Sequence, residues 1–311
     1  MTMNKNKKNG GRGLLSLLLI LVIFVAGIVA VGFYMNGGLQ HKSFVDGELE
    51  IHYIDIGQGD CTLVKCGEHA MLIDAGENDK GTQIQDYLNS QNVKKLDYII
   101  GTHPHSDHIG GMDVIIYKFD CDVVMMPDVE SDTKTYRDVV NAMKAKNYTN
   151  TVPVPGQQYS LGDATFTILA PSRQYDNMND NSIALVLTYG DRKFLFTGDG
   201  EEDAEKDIVN TGINIDCDVY QVGHHGSRTA SSETLLNAAS PAYAVISCAE
   251  GNSYGHPHAQ TLNELRYRGI KVFRTDEQGT IVCTTDGVNI KWNCSPSETW
   301  KVGEATKSSK K

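Results

Sequence analysis

Apolar and polar positions fall in short blocks along most of the chain, and the blocks predict a sheet-based fold. Leu49–Gly57 (LEIHYIDIG), Cys61–Cys66 (CTLVKC) and Ala70–Gly76 (AMLIDAG) are β-branched, partly alternating runs parted by glycine-containing turns, the pattern of a strand meander. A helix over Thr82–Gln91 leads into LDYIIGTH, whose unbroken apolar run predicts a strand buried on both faces that delivers His103 at its end. Cys121–Asp128 reads as a further strand and Thr133–Lys146 as a polar amphipathic helix. Strands return within Ala164–Gly200. They are followed by a helix at Glu201–Val209, a strand in Asp218–Ser227, a helix near Ser232–Ala239, a strand in Ala242–Glu250 and a helix at Ala259–Arg268. Each half thus places a group of strands before a strand-helix alternation. This weak duplication predicts two sheets face to face with helices outside, a layered α/β or αββα sandwich.

The N-terminus breaks the pattern. Leu14–Met35 is almost continuously apolar and carries no charge, and roughly 20 such residues at about 1.5 Å each cross a bilayer core. Lys5, Lys7, Lys8 and Arg12 precede it in a basic tail over 1–13, which predicts a single-pass anchor with the rest of the chain outside the cell. A cleaved signal peptide, with Ala26 and Ala30 as small residues, would export the same domain, but the apolar run exceeds the usual signal length. A polar linker over 36–47 then precedes a domain expected at 48–293, and the small, charged segment 294–311 is expected to be a flexible tail.

Charge narrows the partners. The chain has a net charge of −11, and setting aside the four basic residues of the tail leaves about −15 on the exported part. Such a surface repels polyanions, so an extended nucleic-acid track is not expected, although metal ions in a pocket can still draw in one phosphate group. The seven cysteines show no CxxC spacing, which argues against a zinc-thiolate site. Cys61 with Cys66, or Cys283 with Cys294, could pair across strands, and buried free thiols explain them equally well.

The chemistry concentrates at strand ends. In Gly101–Gly111 (GTHPHSDHIGG) alternate residues of an extended chain project to one side, so His103, His105 and Asp107 can converge while a turn brings in His108. Neutral imidazoles and carboxylates suit zinc, iron or manganese, and two such pairs can feed two neighbouring ions. Asp199 stands between glycines after FLFT, free to bridge two cations or, alternatively, to cap the helix that follows. His224 and His225 end another strand, and His256 and His258 sit in a loop with Gly and Pro; seven of the ten histidines fall in these three places, which scatter would not produce.

LIDAG, THPHSDHIGG, FLFTGDG and VGHHGS, in this order and spacing, resemble the metallo-β-lactamase superfamily. Across about residues 48–293, with NDNSIAL and YGHPH as further marks, the resemblance is greatest to the hydrolase domain of ComEC-type DNA-uptake proteins. It implies the four-layer αββα fold and a dinuclear centre, usually of zinc and sometimes of manganese or iron. By the same resemblance His103 and His105 bind one ion, Asp107 and His108 the other, Asp199 bridges them, and Asp74 orients ligands through hydrogen bonds. His225 is favoured over His224 as the last ligand, leaving His224 toward substrate, and His256 lies beside the site. Many members carry one more histidine before the bridging Asp. Here that region reads Asn179-Asp180-Asn181-Ser182, so Asn181 or water would complete the first site.

Two divalent ions about 3.5 to 4 Å apart lower the pKa of a shared water and neutralise charge developing on a carbonyl or phosphoryl oxygen. Asp107 could orient that water or take its proton, and a protonated His224 or His256 could serve the departing oxygen. No GxSxG elbow or Walker loop competes for the role. The expected activity is that of a phosphodiesterase or nuclease on DNA. The alternatives are a phosphorylcholine or teichoic-acid esterase, a β-lactamase-type amide hydrolase, and a non-catalytic surface binding module stabilised by metal. The missing histidine near Asn181 is the support for the last of these.

Overall fold

A computed structural model describes residues 48–305. The basic tail, anchor and linker expected over 1–47 lie outside the described residues. Among those described, no helix is long and apolar enough to cross a membrane.

The apolar runs fold as strands covered on both faces. In β1 (Leu49–Tyr53), β2 (Thr62–Cys66) and β3 (His69–Ile73), Ile51, Val64, Met71 and Ile73 point into a core between two sheets, whereas Leu63, Ala70 and Leu72 point to outer helices. This double burial is why the runs read as almost continuous apolar sequence. β4 (Lys95–Ile100), β5 (Asp120–Met125) and the two-residue β6 (Asn150–Thr151) continue the first sheet in parallel. β14 (Ile281–Thr285) and β15 (Ile290–Trp292) close its other edge.

The second sheet repeats this plan. β7 (Gln158–Leu161), β8 (Ala164–Ala170), β9 (Ala184–Tyr189) and β10 (Arg192–Phe196) form an antiparallel meander. β11 (Val219–Gln221), β12 (Tyr243–Ile246) and β13 (Lys271–Arg274) then follow β10 in parallel. Phe166, Phe194 and Phe273 are fully buried between the sheets. Covering each such ring is worth roughly 1.5–3 kcal/mol. Helices α1 (Gly81–Ser90), α3 (Met112–Lys118) and α4 (Lys134–Ala145) cover the first sheet, with the one-turn α2 (Ser106–Ile109) between the first two. Helices α5 (Glu202–Asn210), α6 (Glu233–Ala239) and α7 (Ala259–Tyr267) cover the second. The layers are therefore helix, sheet, sheet, helix.

Of the two readings of the cysteines, free thiols hold: all seven are unpaired and six of them are buried, so neither possible disulfide forms. One expectation needs correction: the domain runs past residue 293, because residues 294–305 pack along the body instead of leaving it. The Ser297 amide donates to the Val272 carbonyl at 2.7 Å, Arg274 donates to the Lys301 carbonyl, and Trp300 lies against the outer core of the second sheet. Small polar residues hid this segment, since its anchoring is done by backbone groups, the Ser297 and Thr299 hydroxyls that donate to Glu277, and one ring.

Candidate metal centre

Parallel pairing brings the ends of β3, β4, β10 and β11 to the same end of their sheets, and each end carries a polar residue. Asp74 directly follows β3, whereas His103, Asp199 and His224 each stand three residues beyond β4, β10 and β11. His103 Nε2 faces His105 Nδ1 at 2.9 Å, and its Nδ1 lies 3.2 Å from the hydroxyls of Ser182 and Thr102. An N–H donated to Ser182 from Nδ1 leaves the lone pair on Nε2. His108 is fixed in the same tautomer by Asp74, which accepts from Nδ1 at 2.8 Å, so His108 Nε2 faces Asp199 at 3.2 Å. In His225, Nδ1 donates to the Ser247 carbonyl at 3.1 Å and Nε2 lies 3.3 Å from Asp107. Asp199 occupies the middle, with His225 Nε2 at 3.7 Å, His224 Nε2 at 3.6 Å and His103 Nε2 at 3.9 Å.

The backbone is shaped to hold this cluster. His224 and His225 both have positive φ, 50° and 54°, a conformation costly for side-chain-bearing residues and common where a site over-determines it. The pair thereby parts: His225 is buried among the carboxylates, while His224 keeps a fifth of its side chain exposed and sets its Nδ1 3.2 Å from Glu201. Opposite them, the turn Gly57–Asp60 presses on the histidine loop. Gly59 has φ +112°, and a Cβ there would lie 2.1 Å from the Asp107 carbonyl, so only glycine admits the approach. The Asp60 amide then donates to that carbonyl at 3.1 Å, and the buried Asp60 carboxylate reaches His225 Nδ1 at 3.4 Å.

Asp60 thus stands behind His225 as Asp74 stands behind His108. Sequence reasoning missed it, although a carboxylate after a turn with two glycines, shortly before the largely apolar run Cys61–Cys66, was the available signal.

The residues fit divalent ions. His108 Nε2, His225 Nε2 and one Asp199 oxygen are buried with no hydrogen-bond partner, yet they face one another across the cluster. Nitrogen lone pairs aimed at carboxylate oxygens repel unless a cation lies between them. Asp60, Asp74, Asp107 and Asp199 also bring four carboxylates together, the charge two divalent ions offset. Four overlapping groups could hold metal: His103, His108 and Asp199; Asp107, His108 and His225; Asp60, Asp199 and His225; and Asp60, Asp74 and His108. His105, mostly outside the buried cluster, adds its Nδ1 to the first through His103.

Without ions, protons take their place. Burial pulls His108 and His225 down, but Asp199 with Asp74 and Asp107 around His108, and Asp199 with Asp60 around His225, outweigh it and raise both well above the usual imidazole range. Burial pushes Asp199 and Asp107 up, and His108 and His225 outweigh it and hold both below the usual carboxylate range. For Asp74 burial wins over His108 and raises it.

Three sequence expectations end elsewhere. The Asn181 amide is used within its own loop: it accepts from the Tyr175 amide and donates to the Tyr175 and Asn177 carbonyls, each at 3.0 Å, so it is not available to an ion. Ser182 and Asn179 reach the site instead, Ser182 through its bonds to His103 and the Asp199 amide and Asn179 by lining the cleft. Asp199 is no helix cap, since α5 begins after Glu201. His256 is buried beside His224 and His225, and burial, with those two rings, pulls it down to about 3. It is therefore neutral near pH 7 and a poor proton donor.

The cluster opens into a cleft of about 370 Å³, walled by Gln58, Thr133, Thr135, Asn179 and Tyr254 besides the histidines. Among the described residues that line it there is no Lys or Arg.

An αββα sandwich with imidazoles and carboxylates converging at its strand ends defines a metal-dependent hydrolase fold. The chain belongs to the metallo-beta-lactamase superfamily, which matches residues 54–250. It is 29% identical over 253 residues to ComE operon protein 3 of Bacillus subtilis, covering 75% of this chain and 33% of that protein. It is 32% identical over 264 residues to competence protein ComA of Neisseria gonorrhoeae, covering 84% and 34%. The chain thus spans about a third of the length of these curated relatives. Among solved structures, the metallo-beta-lactamase fold protein YhfI from Bacillus subtilis aligns with a TM-score of 0.53 at 13% identity over 77% of this chain and 100% of that one, a likeness of fold alone.

Proposed function

We propose that the chain is a phosphodiesterase acting on nucleic acid. One ion would be held by His103, His105 and Asp199, the other by Asp107, His108, His225 and Asp199. Bound ions supply a water that ionises near neutral pH and positive charge for phosphoryl oxygens. His-rich donor sets favour zinc, with manganese or iron as the alternatives. Asp107, 20% exposed at its side chain and facing the cleft, is placed to orient that water and take its proton. His224, paired with Glu201 and open to the cleft, is placed to donate to the departing oxygen. His256 packs beside His224 and steadies it; its lowered pKa argues against the acid role expected from sequence.

The observation that carries this reading is where the cleft has positive charge to offer. A phosphodiester bears its charge on the reacting group, where the ions would sit. A β-lactam bears a carboxylate apart from its amide, and no Lys or Arg among the described cleft residues would receive it. The competence proteins among the relatives support a nucleic-acid substrate, and a competence role for this chain goes with a location at the membrane. We place the domain outside the cell, anchored by residues 14–35, because the basic residues precede that run.

The test is turnover by the detergent-purified full chain, with and without chelator, after its metal content is measured. The substrates are bis-p-nitrophenyl phosphate, single-stranded DNA, p-nitrophenylphosphorylcholine and nitrocefin. Metal-dependent cleavage of the first two supports the reading. Preference for the choline ester or nitrocefin replaces it with the corresponding hydrolase. Bound metal without turnover leaves a binding module.

A further inference from the structure

We propose that Tyr254 is a stacking platform that seats one nucleobase next to the scissile phosphate. The inference rests on the phosphodiester reading above and names what the cleft binds beyond the reacting group.

Tyr254 lines the cleft and is 61% exposed, among the most exposed large apolar side chains described. One face of its ring is covered: it lies nearly parallel to His256, 19° apart in plane and 5.5 Å between centroids. His256 in turn is 5.5 Å from His224, so the platform stands two ring steps from the proposed proton donor. A base reaches such a spot through its own sugar while its phosphate stays at the cluster.

The platform is held in place before any ligand arrives. The buried Asn252 side chain accepts from the amides of Tyr254 at 3.1 Å and His256 at 3.0 Å, and donates to the His256 carbonyl at 2.7 Å. From behind, Gly303 packs so closely that a Cβ there would fall 2.0 Å from that carbonyl, and its amide donates to Pro257 at 3.0 Å. The C-terminal segment thereby braces the loop that presents Tyr254. An ordered aromatic ring gives up little entropy when a flat group covers it.

Binding in this cleft needs such a contribution, since no Lys or Arg among the described residues lines it to hold flanking phosphates. A single ring suits a flat base. A quaternary ammonium such as choline is recognised by a cage of several rings, and here Tyr254 is the one aromatic ring besides the histidines among the described residues that line the cleft.

The test compares a thymidine oligonucleotide with an abasic oligonucleotide of the same length on wild type, Tyr254→Phe and Tyr254→Ala. Wild type should show a lower KM for the thymidine strand, Tyr254→Phe should keep that advantage, and Tyr254→Ala should erase about tenfold of it. Equal KM changes on both strands would show that the ring merely supports His256, and an unchanged advantage in Tyr254→Ala would also overturn the proposal. A wild type that cleaves neither strand refutes the phosphodiester reading; the platform is then judged by direct binding of the two strands, and equal affinities of wild type and Tyr254→Ala for the thymidine strand reject it. A choline ester that competes for Tyr254 better than the thymidine strand rejects it too.

Discussion

Replacing Asp74 by Asn tests whether ion binding depends on the tautomer that the carboxylate imposes on His108. Asp74 accepts three buried bonds: from the Thr102 amide at 2.7 Å on one oxygen, and from the Thr102 hydroxyl at 2.7 Å and His108 Nδ1 at 2.8 Å on the other. The backbone accepts the change, because Asp74 has φ 61° and Asn tolerates that region as well as Asp does. The amide does not. With its oxygen toward the Thr102 N–H, its NH2 meets the His108 N–H, so the ring must move its proton to Nε2, the atom needed for the ion. Losing one charge-assisted bond costs about 1.5–3 kcal/mol, and at about 1.4 kcal/mol per decade the ion at His108 should bind roughly 10- to 100-fold more weakly. Asp60→Asn should cost less than tenfold, because His225 keeps its 3.1 Å bond to Ser247 and the Asp60 contact is longer, 3.4 Å. Competition against a chromophoric chelator reads both affinities, and melting of the chelated proteins separates ion binding from folding. Wild-type affinity in Asp74→Asn, or a greater loss in Asp60→Asn, would refute the tautomer argument.

Three further outcomes follow from the same geometry. His105→Ala removes the nitrogen facing His103 at 2.9 Å, so the variant should hold one ion and lose turnover; wild-type rates would sink the assignment. Gly59→Ala forces a side chain to within 2.1 Å of the Asp107 carbonyl at φ +112°, and should cost more than about 2 kcal/mol in stability together with metal content. Unchanged melting and metal content would show that the turn does not clamp the loop. In the chelated protein, the raised His108 and His225 contribute stability that is complete below about pH 6.5 and is lost as pH rises through their folded values. The lowered Asp107 and Asp199 contribute stability that is complete above about pH 4 and is lost as pH falls through theirs. The melting temperature with chelator should therefore peak between those limits and fall toward pH 9, and zinc should flatten the fall. A chelated protein that grows more stable from pH 6 to 9 contradicts the account.

What could be read from the chain was what strands determine locally. An apolar run of strand length followed by His103, Asp199 or His224 states both the element and the place where its polar residue emerges, so the ligand candidates and the two-sheet fold were legible together. Asp60 was not, because its importance comes from the contact of Gly59 with Asp107, 48 residues away in sequence, and from the return of His225 to the same spot. Asn181 misled for the opposite reason. It lies at the right distance before Asp199, but its amide is consumed by the turn it closes, which only the path of Tyr175–Asn181 reveals. The strands β13 to β15 and the brace at residues 294–305 were missed because segments this short carry no period of their own; their pairing partners define them.

The duplicated plan also explains why two carboxylates in matching positions have come to do different work. Asp74 follows β3 and Asp199 follows β10, the last strands of the two meanders, but Asp74 is the first residue past its strand and Asp199 the third. Two more residues carry Asp199 beyond the sheet edge to the middle of the imidazoles, while Asp74 stays at the rim, where it meets the far nitrogen of His108. One hydroxyl then ties the halves together: Ser182 accepts from the Asp199 amide at 3.1 Å and sits 3.2 Å from His103 Nδ1. The depth of each carboxylate is thus set by chain length past the strand, and that depth decides which of the two lies among the imidazoles and which reaches only the far nitrogen of His108.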